Sequence, residues 1–169
     1  VKGLDRVVAI AAGGGGGRST SGAVRDDGSV WMWGMNMSGG AMSPDDEGAR
    51  LLVPTLVKGV TNARRLSIGT GHVAVLLADG TLRLWGFDGY GQTGVGTSGT
   101  SDASGAYKTT PVTPKIANVT AVYLGGYRSI AVRADGTLWI WGMGSTVSGP
   151  GLLGRNLRVP TLLDLAPLK

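Results

Sequence analysis

A chain of 169 residues with 42% hydrophobic content, 31 glycines and a mean hydropathy of +0.13 is too apolar for disorder. It also lacks the Gly-X-Y period of a collagen-like fibre. The absence of Cys excludes disulfides and thiolate metal sites, and no apolar run reaches the length of a membrane-spanning helix. The net charge of +5 is scattered, with Arg64-Arg65 the one adjacent basic pair, which argues for a solvated surface and against nucleic-acid binding.

The chain opens Val1-Lys2-Gly3, and its first predicted strand is Val8 to Gly13. Gly13 to Thr20 reads as a loop insertion. A hairpin follows, Gly22 to Gly34, with Asp27-Gly28 at its turn and Trp33-Gly34 at its end. Asp-Gly between apolar runs predicts a two-residue type I′ turn, whose central residues both need φ > 0. An irregular loop, Met35 to Gly40, and a polar excursion from Ser43 to Arg50 lead to a Pro-led strand, Val53-Pro54-Thr55-Leu56-Val57.

The second unit repeats this plan. Arg65 to Gly69 is the first strand, and the hairpin runs from Ala74 to Gly86 with Asp79-Gly80 and Trp85-Gly86. Leu77 is expected opposite Leu82, Val75 opposite Leu84 and Ala74 opposite Trp85. The Gly-rich loop Phe87 to Gly96 and a polar stretch, Thr97 to Thr109, precede Thr113-Pro114-Lys115-Ile116. The third unit gives Ala121 to Gly125, then a hairpin from Ile130 to Gly142 with Asp135-Gly136 and Trp141-Gly142. Met143 to Gly149 follows, and Val159-Pro160-Thr161-Leu162-Leu163 closes it.

Units of about fifty residues indicate a repeat architecture. No segment holds apolar residues at helical spacing without Gly, so an all-β fold is expected. In each hairpin, Val30 and Met32, Leu82 and Leu84, and Leu138 and Ile140 share one face. The opposite face carries Trp33, Trp85 and Trp141, with Trp31 and Trp139 two residues earlier. Two apolar faces call for cover on both sides, as when small sheets stack.

At these residues the chain resembles the regulator of chromosome condensation repeat family. Its units carry an apolar strand ending in Gly, a His-Ser or His-Thr strand, Asp-Gly-x-Val-x-x-Trp-Gly, and Gly-Gln-Leu-Gly. His72 matches the family His, Arg128 stands there in unit three, and unit one loses the register in its Gly insertion. Gly91-Gln92-Thr93-Gly94 matches the last element best. The wording around Asp-Gly-Thr-Leu-Trp is similar to bacterial members. The resemblance implies β-propeller blades of four-stranded antiparallel sheet, usually seven in a ring. A Trp-Asp repeat would need Asp where Gly86 stands, and kelch repeats order their Gly-Gly and aromatic residues differently. The expectation is one domain of three repeats (1–56, 57–116 and 117–169), open unless another chain completes it.

Chemistry is sparse. One His and no Cys make zinc improbable. Gly13 to Gly17 lacks the Lys and the following helix of a phosphate loop. Asp45-Asp46-Glu47 lacks calcium-loop spacing. Asp27, Asp79 and Asp135 are explained by their turns, the five Trp by core packing, and no cofactor or catalytic residue is expected. The N-terminus lacks the Pro-Thr-Leu strand that the C-terminus carries, so Val1, Val7 and Val8 are expected to meet Pro160, Thr161, Leu162 and Leu163 of another copy. The leading expectation is therefore a non-enzymatic subunit that assembles head to tail into a filament or ring. The expected extracellular or cell-surface location rests on that reading alone. The alternative is a protein-binding propeller, or part of a longer one, that meets its partner through Met35, Met37, Phe87, Tyr90 and Met143, with Met42, Tyr107 and Tyr127 nearby in the loops.

Overall fold

The computed structural model describes residues 3–15, 18–35, 50–96, 107–144 and 154–164. In these, every regular element is a strand: β1 (Val7–Gly15), β2 (Arg18–Arg25), β3 (Val30–Met35), β4 (Arg50–Leu56), β5 (Ala63–Ile68), β6 (His72–Leu77), β7 (Leu82–Phe87), β8 (Tyr107–Val112), β9 (Val119–Gly125), β10 (Arg128–Arg133), β11 (Leu138–Gly142) and β12 (Leu157–Leu162). They form three antiparallel four-stranded sheets, each a meander in sequence order, so one repeat is one blade. The blades converge on their first strands, β1 beside β5 and β5 beside β9. This is an arc of β-propeller blades.

The Asp-Gly turns are not type I′. Gly28, Gly80 and Gly136 have φ of 77°, 80° and 80°, while the preceding Asp residues are absent from the left-handed region. Leu77 N–H donates to Thr81 O at 2.9 Å and Gly80 N–H to Leu77 O at 3.1 Å. That is a type I turn followed by a left-handed Gly. The cause is local: each Asp Oδ1 accepts the N–H two residues on, from Ser29 (2.9 Å), Thr81 (2.9 Å) and Thr137 (3.0 Å). The longer turn moves the register by one. Leu76 faces Leu82, Ala74 faces Leu84 and Val73 faces Trp85, which puts Leu76 rather than Leu77 on the Leu82 face.

Gly13 to Gly15 are strand, not loop. Gly13 pairs with Thr20, Gly14 with Ser19 and Gly15 with Arg18. The insertion lengthens both strands equally, so unit one keeps its register: Thr20 faces Gly34 as His72 faces Gly86 and Arg128 faces Gly142. Small size is required at Gly13, where a Cβ would lie 2.3 Å from Ile68 O in blade two.

The closing strand of blade two also differs from expectation. Val112 faces Leu84, as Thr55 faces Met32 and Thr161 faces Ile140. The residue equivalent to Pro54 and Pro160 is thus Pro111, and Thr113 to Ile116 follow the strand. These prolines sit inside outermost strands, where a missing donor costs no ladder bond.

Each blade supplies its own fourth strand. β1, with Val7 and Val8, pairs with β2 in blade one. β12, with Pro160, Thr161 and Leu162, pairs with β11 in blade three, and Leu163 N–H reaches Leu138 O at 2.8 Å. Within this chain the first and last strands therefore fill places in their own blades, and the pairing lends no support to completion of a blade by exchanged termini. Val1 lies outside the described residues.

Candidate protein-binding surface

The Asp-Gly turns lie at one end of the blades and the Trp-Gly segments at the other. The Trp-Gly end is built on three equivalent glycines. Gly34, Gly86 and Gly142 have φ of 103°, 99° and 100°. A Cβ there would meet Ser19 O, Gly71 O or Tyr127 O at 2.5, 2.4 and 2.4 Å. Only Gly combines that φ with such close approach to the neighbouring strand. The next residue in each blade is Met35, Phe87 or Met143, all half-buried. Met37 lies outside the described residues.

Phe87 gathers the aromatic residues of this end. Its ring centroid is 5.7 Å from Tyr90, 5.4 Å from Tyr107 and 5.7 Å from Tyr127. Tyr90 and Tyr127 are 5.4 Å apart, at an interplanar angle of 65°. Tyr127 comes from the turn between β9 and β10, so this platform joins blades two and three. Tilted and edge-on ring pairs of this kind add about 0.5–1.5 kcal/mol each beyond area burial. The platform is firm as well as partly open, with Tyr127 37% exposed.

A buried polar network holds it from below. Gln92 Oε1 accepts Tyr90 N–H at 2.8 Å. Gln92 O accepts both the Ser129 hydroxyl (2.9 Å) and Trp141 Nε1–H (2.7 Å) from blade three. Asp88, 2% exposed, accepts Thr93 N–H at 2.8 Å and lies 3.9 Å from Lys108 Nζ. His72 Nε2 is 3.2 Å from Ser129 Oγ. Since Ser129 gives its proton to Gln92 O, His72 Nε2–H is the donor of that pair. This is the reverse of a base activating a serine, so His72 and Ser129 form a brace between blades. Burial pushes the imidazole pKa down to about 4, which leaves it neutral near pH 7.

At the other end, Asp27 and Asp135 also accept the hydroxyls of Ser29 (2.6 Å) and Thr137 (2.5 Å). Those hydroxyls accept Trp31 and Trp139 Nε1–H, both at 3.0 Å. Hydrogen bonds to Ser29 and Thr137 hold the two carboxyls below the usual range, and the Thr81 backbone does so for Asp79. All three Asp are exposed turn residues. Among the described residues no three His, Cys, Asp or Glu gather as metal ligands, and Asp45 to Glu47 lie outside them.

The sequence named Phe87, Tyr90, Tyr107 and Tyr127 separately, and the structure brings these four together. Met35 and Met143 occupy the equivalent places in the outer blades. The Gln92–Ser129–Trp141 joint was missed. Its one legible signal was the Gly91-Gln92-Thr93-Gly94 motif.

No family model matches the chain. Protein pim1 of Schizosaccharomyces pombe is 30% identical over 161 residues, covering 87% of this chain and 30% of its own length. RCC1 domain-containing protein RUG3, mitochondrial, of Arabidopsis thaliana is 31% identical over 154 residues, covering 84% of this chain and 32% of its own. The crystal structure of Prp20p from Saccharomyces cerevisiae, described with its binding properties to Gsp1p and histones, superposes with a TM-score of 0.78 at 26% identity, over 97% of this chain and 40% of that one. Yeast RCC1 (Prp20) bound to Kap60 gives 0.80 at 25%, over 97% and 38%. The chain thus spans about a third of the length of these curated relatives.

Proposed function

We propose that this chain, which belongs to the regulator of chromosome condensation repeat family, is a protein-binding propeller segment rather than an enzyme. Its contact surface is the Trp-Gly end. The observation that carries this reading is the platform of Phe87, Tyr90, Tyr107 and Tyr127, half-open to solvent and braced by buried hydrogen bonds. Aromatic anchors on a rigid base are the usual centres of binding energy in protein interfaces. Met35 and Met143 extend the same end over blades one and three and suit an adaptable apolar contact.

The structural relative Prp20p supplies the first partners to try, Gsp1p and histones. The immobilised chain is titrated with each by biolayer interferometry, alone and as the Phe87→Ala/Tyr127→Ala double variant. A saturable signal that weakens at least tenfold in the double variant supports the reading. Binding that the double variant leaves unchanged, or no binding to either protein, counts against it.

A further inference from the structure

Each first strand carries a β-bulge at the same place. Val7 faces Arg25 and Ala9 faces Val24, so Val8 is the extra residue of β1. Ala63 faces Leu77 and Arg65 faces Leu76, which makes Arg64 the extra residue of β5. In β9, Val119 faces Arg133 and Ala121 faces Val132, and the extra residue is Thr120. A bulge of this kind sets two residues against one and re-aims a side chain.

The three bulges meet around one cavity of about 540 Å3, within the range of about 300–1,000 Å3 usual for small-molecule sites. Val8, Arg64 and Thr120 all line it, one from each blade. The cavity lies against the middle blade, whose first strand has β1 on one side and β9 on the other. Ala78 and Gly80 place it at the Asp-Gly end, away from the aromatic platform.

The bulge of the middle blade is the charged one. Neighbours on a regular strand point to opposite faces, yet Arg64 and Arg65 both line the cavity. They are the one adjacent basic pair of the sequence, and both are exposed. Among the described residues no Asp or Glu lines the cavity. The ion pairs among those residues engage Arg6, Arg25, Lys108 and Arg133, and neither Arg64 nor Arg65. Two guanidinium groups on one wall without a carboxylate repel each other, and an anion between them relieves the repulsion. The apolar part of the lining comes from Val8, Ala9, Leu76, Leu77 and Val119.

We propose that this cavity binds a small organic phosphate monoester. Arg64 and Arg65 hold the phosphate, and Val8, Ala9 and Leu77 pack against the organic part. A phosphate monoester carries about −1.5 to −2 charges near pH 7, which matches two guanidinium groups better than one carboxylate does. Guanidinium forks also fit phosphate oxygens in pairs. The site goes beyond the protein-binding surface and uses none of its residues.

Phenyl phosphate is the probe, titrated into the chain by calorimetry in buffer free of phosphate and sulfate. Saturable binding with a Kd below about 1 mM is expected. Arg64→Gln/Arg65→Gln should weaken it at least tenfold with the circular dichroism spectrum unchanged. Arg64→Lys/Arg65→Lys keeps both charges but loses the forks, and should fall between. Arg50→Gln removes a charge outside the cavity and should leave binding unchanged. No saturable binding, or equal weakening by Arg50→Gln and by the cavity variant, would overturn the site. Benzoate bound as tightly as phenyl phosphate would overturn the choice of phosphate, and inorganic phosphate bound as tightly would overturn the organic part. The Phe87→Ala/Tyr127→Ala variant should bind phenyl phosphate as the unsubstituted chain does, so failure of this site and failure of the protein-binding surface are read separately.

Discussion

Trp33 and Trp85 hold the same position in blades one and two, after the same turn and before the same kind of glycine. Trp85 is 0% exposed, and Trp33 is half-buried along the open groove. In blade two, β6 is buried from His72 to Leu76, whereas β10 of blade three is buried only at Ser129 and Ala131. The strands differ less than their neighbours do. A blade in this chain is a local product of its turns, but its core is supplied by the blades on either side. The middle blade has both neighbours, and each outer blade has one.

The difference can be measured. Trp85→Ala should remove about 3–5 kcal/mol of stability, the range for truncating a buried aromatic, read from urea denaturation. Trp33→Ala should cost well under half of that in a single chain, because its site is already partly open. Equal losses would mean that blade one's face is covered.

His72 gives the next largest effect. Its pKa falls from 6.5 to about 4 on folding, so the folded state excludes a proton that the unfolded state takes up. The stability is fully present above pH 6.5 and declines as pH falls from 6.5 to 4, by about 3 kcal/mol over the window. His72→Leu should flatten that segment of the stability profile. An unchanged slope would place the titration elsewhere.

Gly86→Ala puts a methyl 2.4 Å from Gly71 O at a φ of 99°, and should cost about 1–3 kcal/mol from backbone strain alone. Gly136→Ala keeps the turn strain but meets nothing within 4 Å. It should cost less, and thermal midpoints of the two variants would show whether close approach or φ dominates. The smallest effect is expected from Asp27→Asn and Asp79→Asn. Their carboxyls are held below the usual range, so their contribution is present above that range and lost as pH falls through the folded pKa. The substitutions should lower stability slightly at pH 7 and leave it unchanged at pH 2.

The blade was legible because its signals are local. Asp-Gly, Trp-Gly and two apolar faces recur three times, and each reports on residues within a hairpin. Reading failed where one hydrogen bond decided the outcome. The Asx contact at Asp79 lengthened the turn and moved Leu76 into the place expected of Leu77. The same limit hid the equivalence of Pro111 with Pro54 and Pro160, which depends on the pairing of Val112 with Leu84. It also hid the extension of β1 through Gly13 to Gly15, where Gly13 packs closely against Ile68.

By itself the sequence determined the central hairpins, the repeat, and which residues are apolar on each blade face, because these depend on residues a few positions apart. Tertiary structure decided which tryptophans are buried, that four separate aromatic residues make one platform, and that Gln92 of one blade carries hydrogen bonds from Ser129 and Trp141 of the next. These depend on how far each sheet is rotated against its neighbour, and the packing of whole faces fixes that rotation, not any short motif.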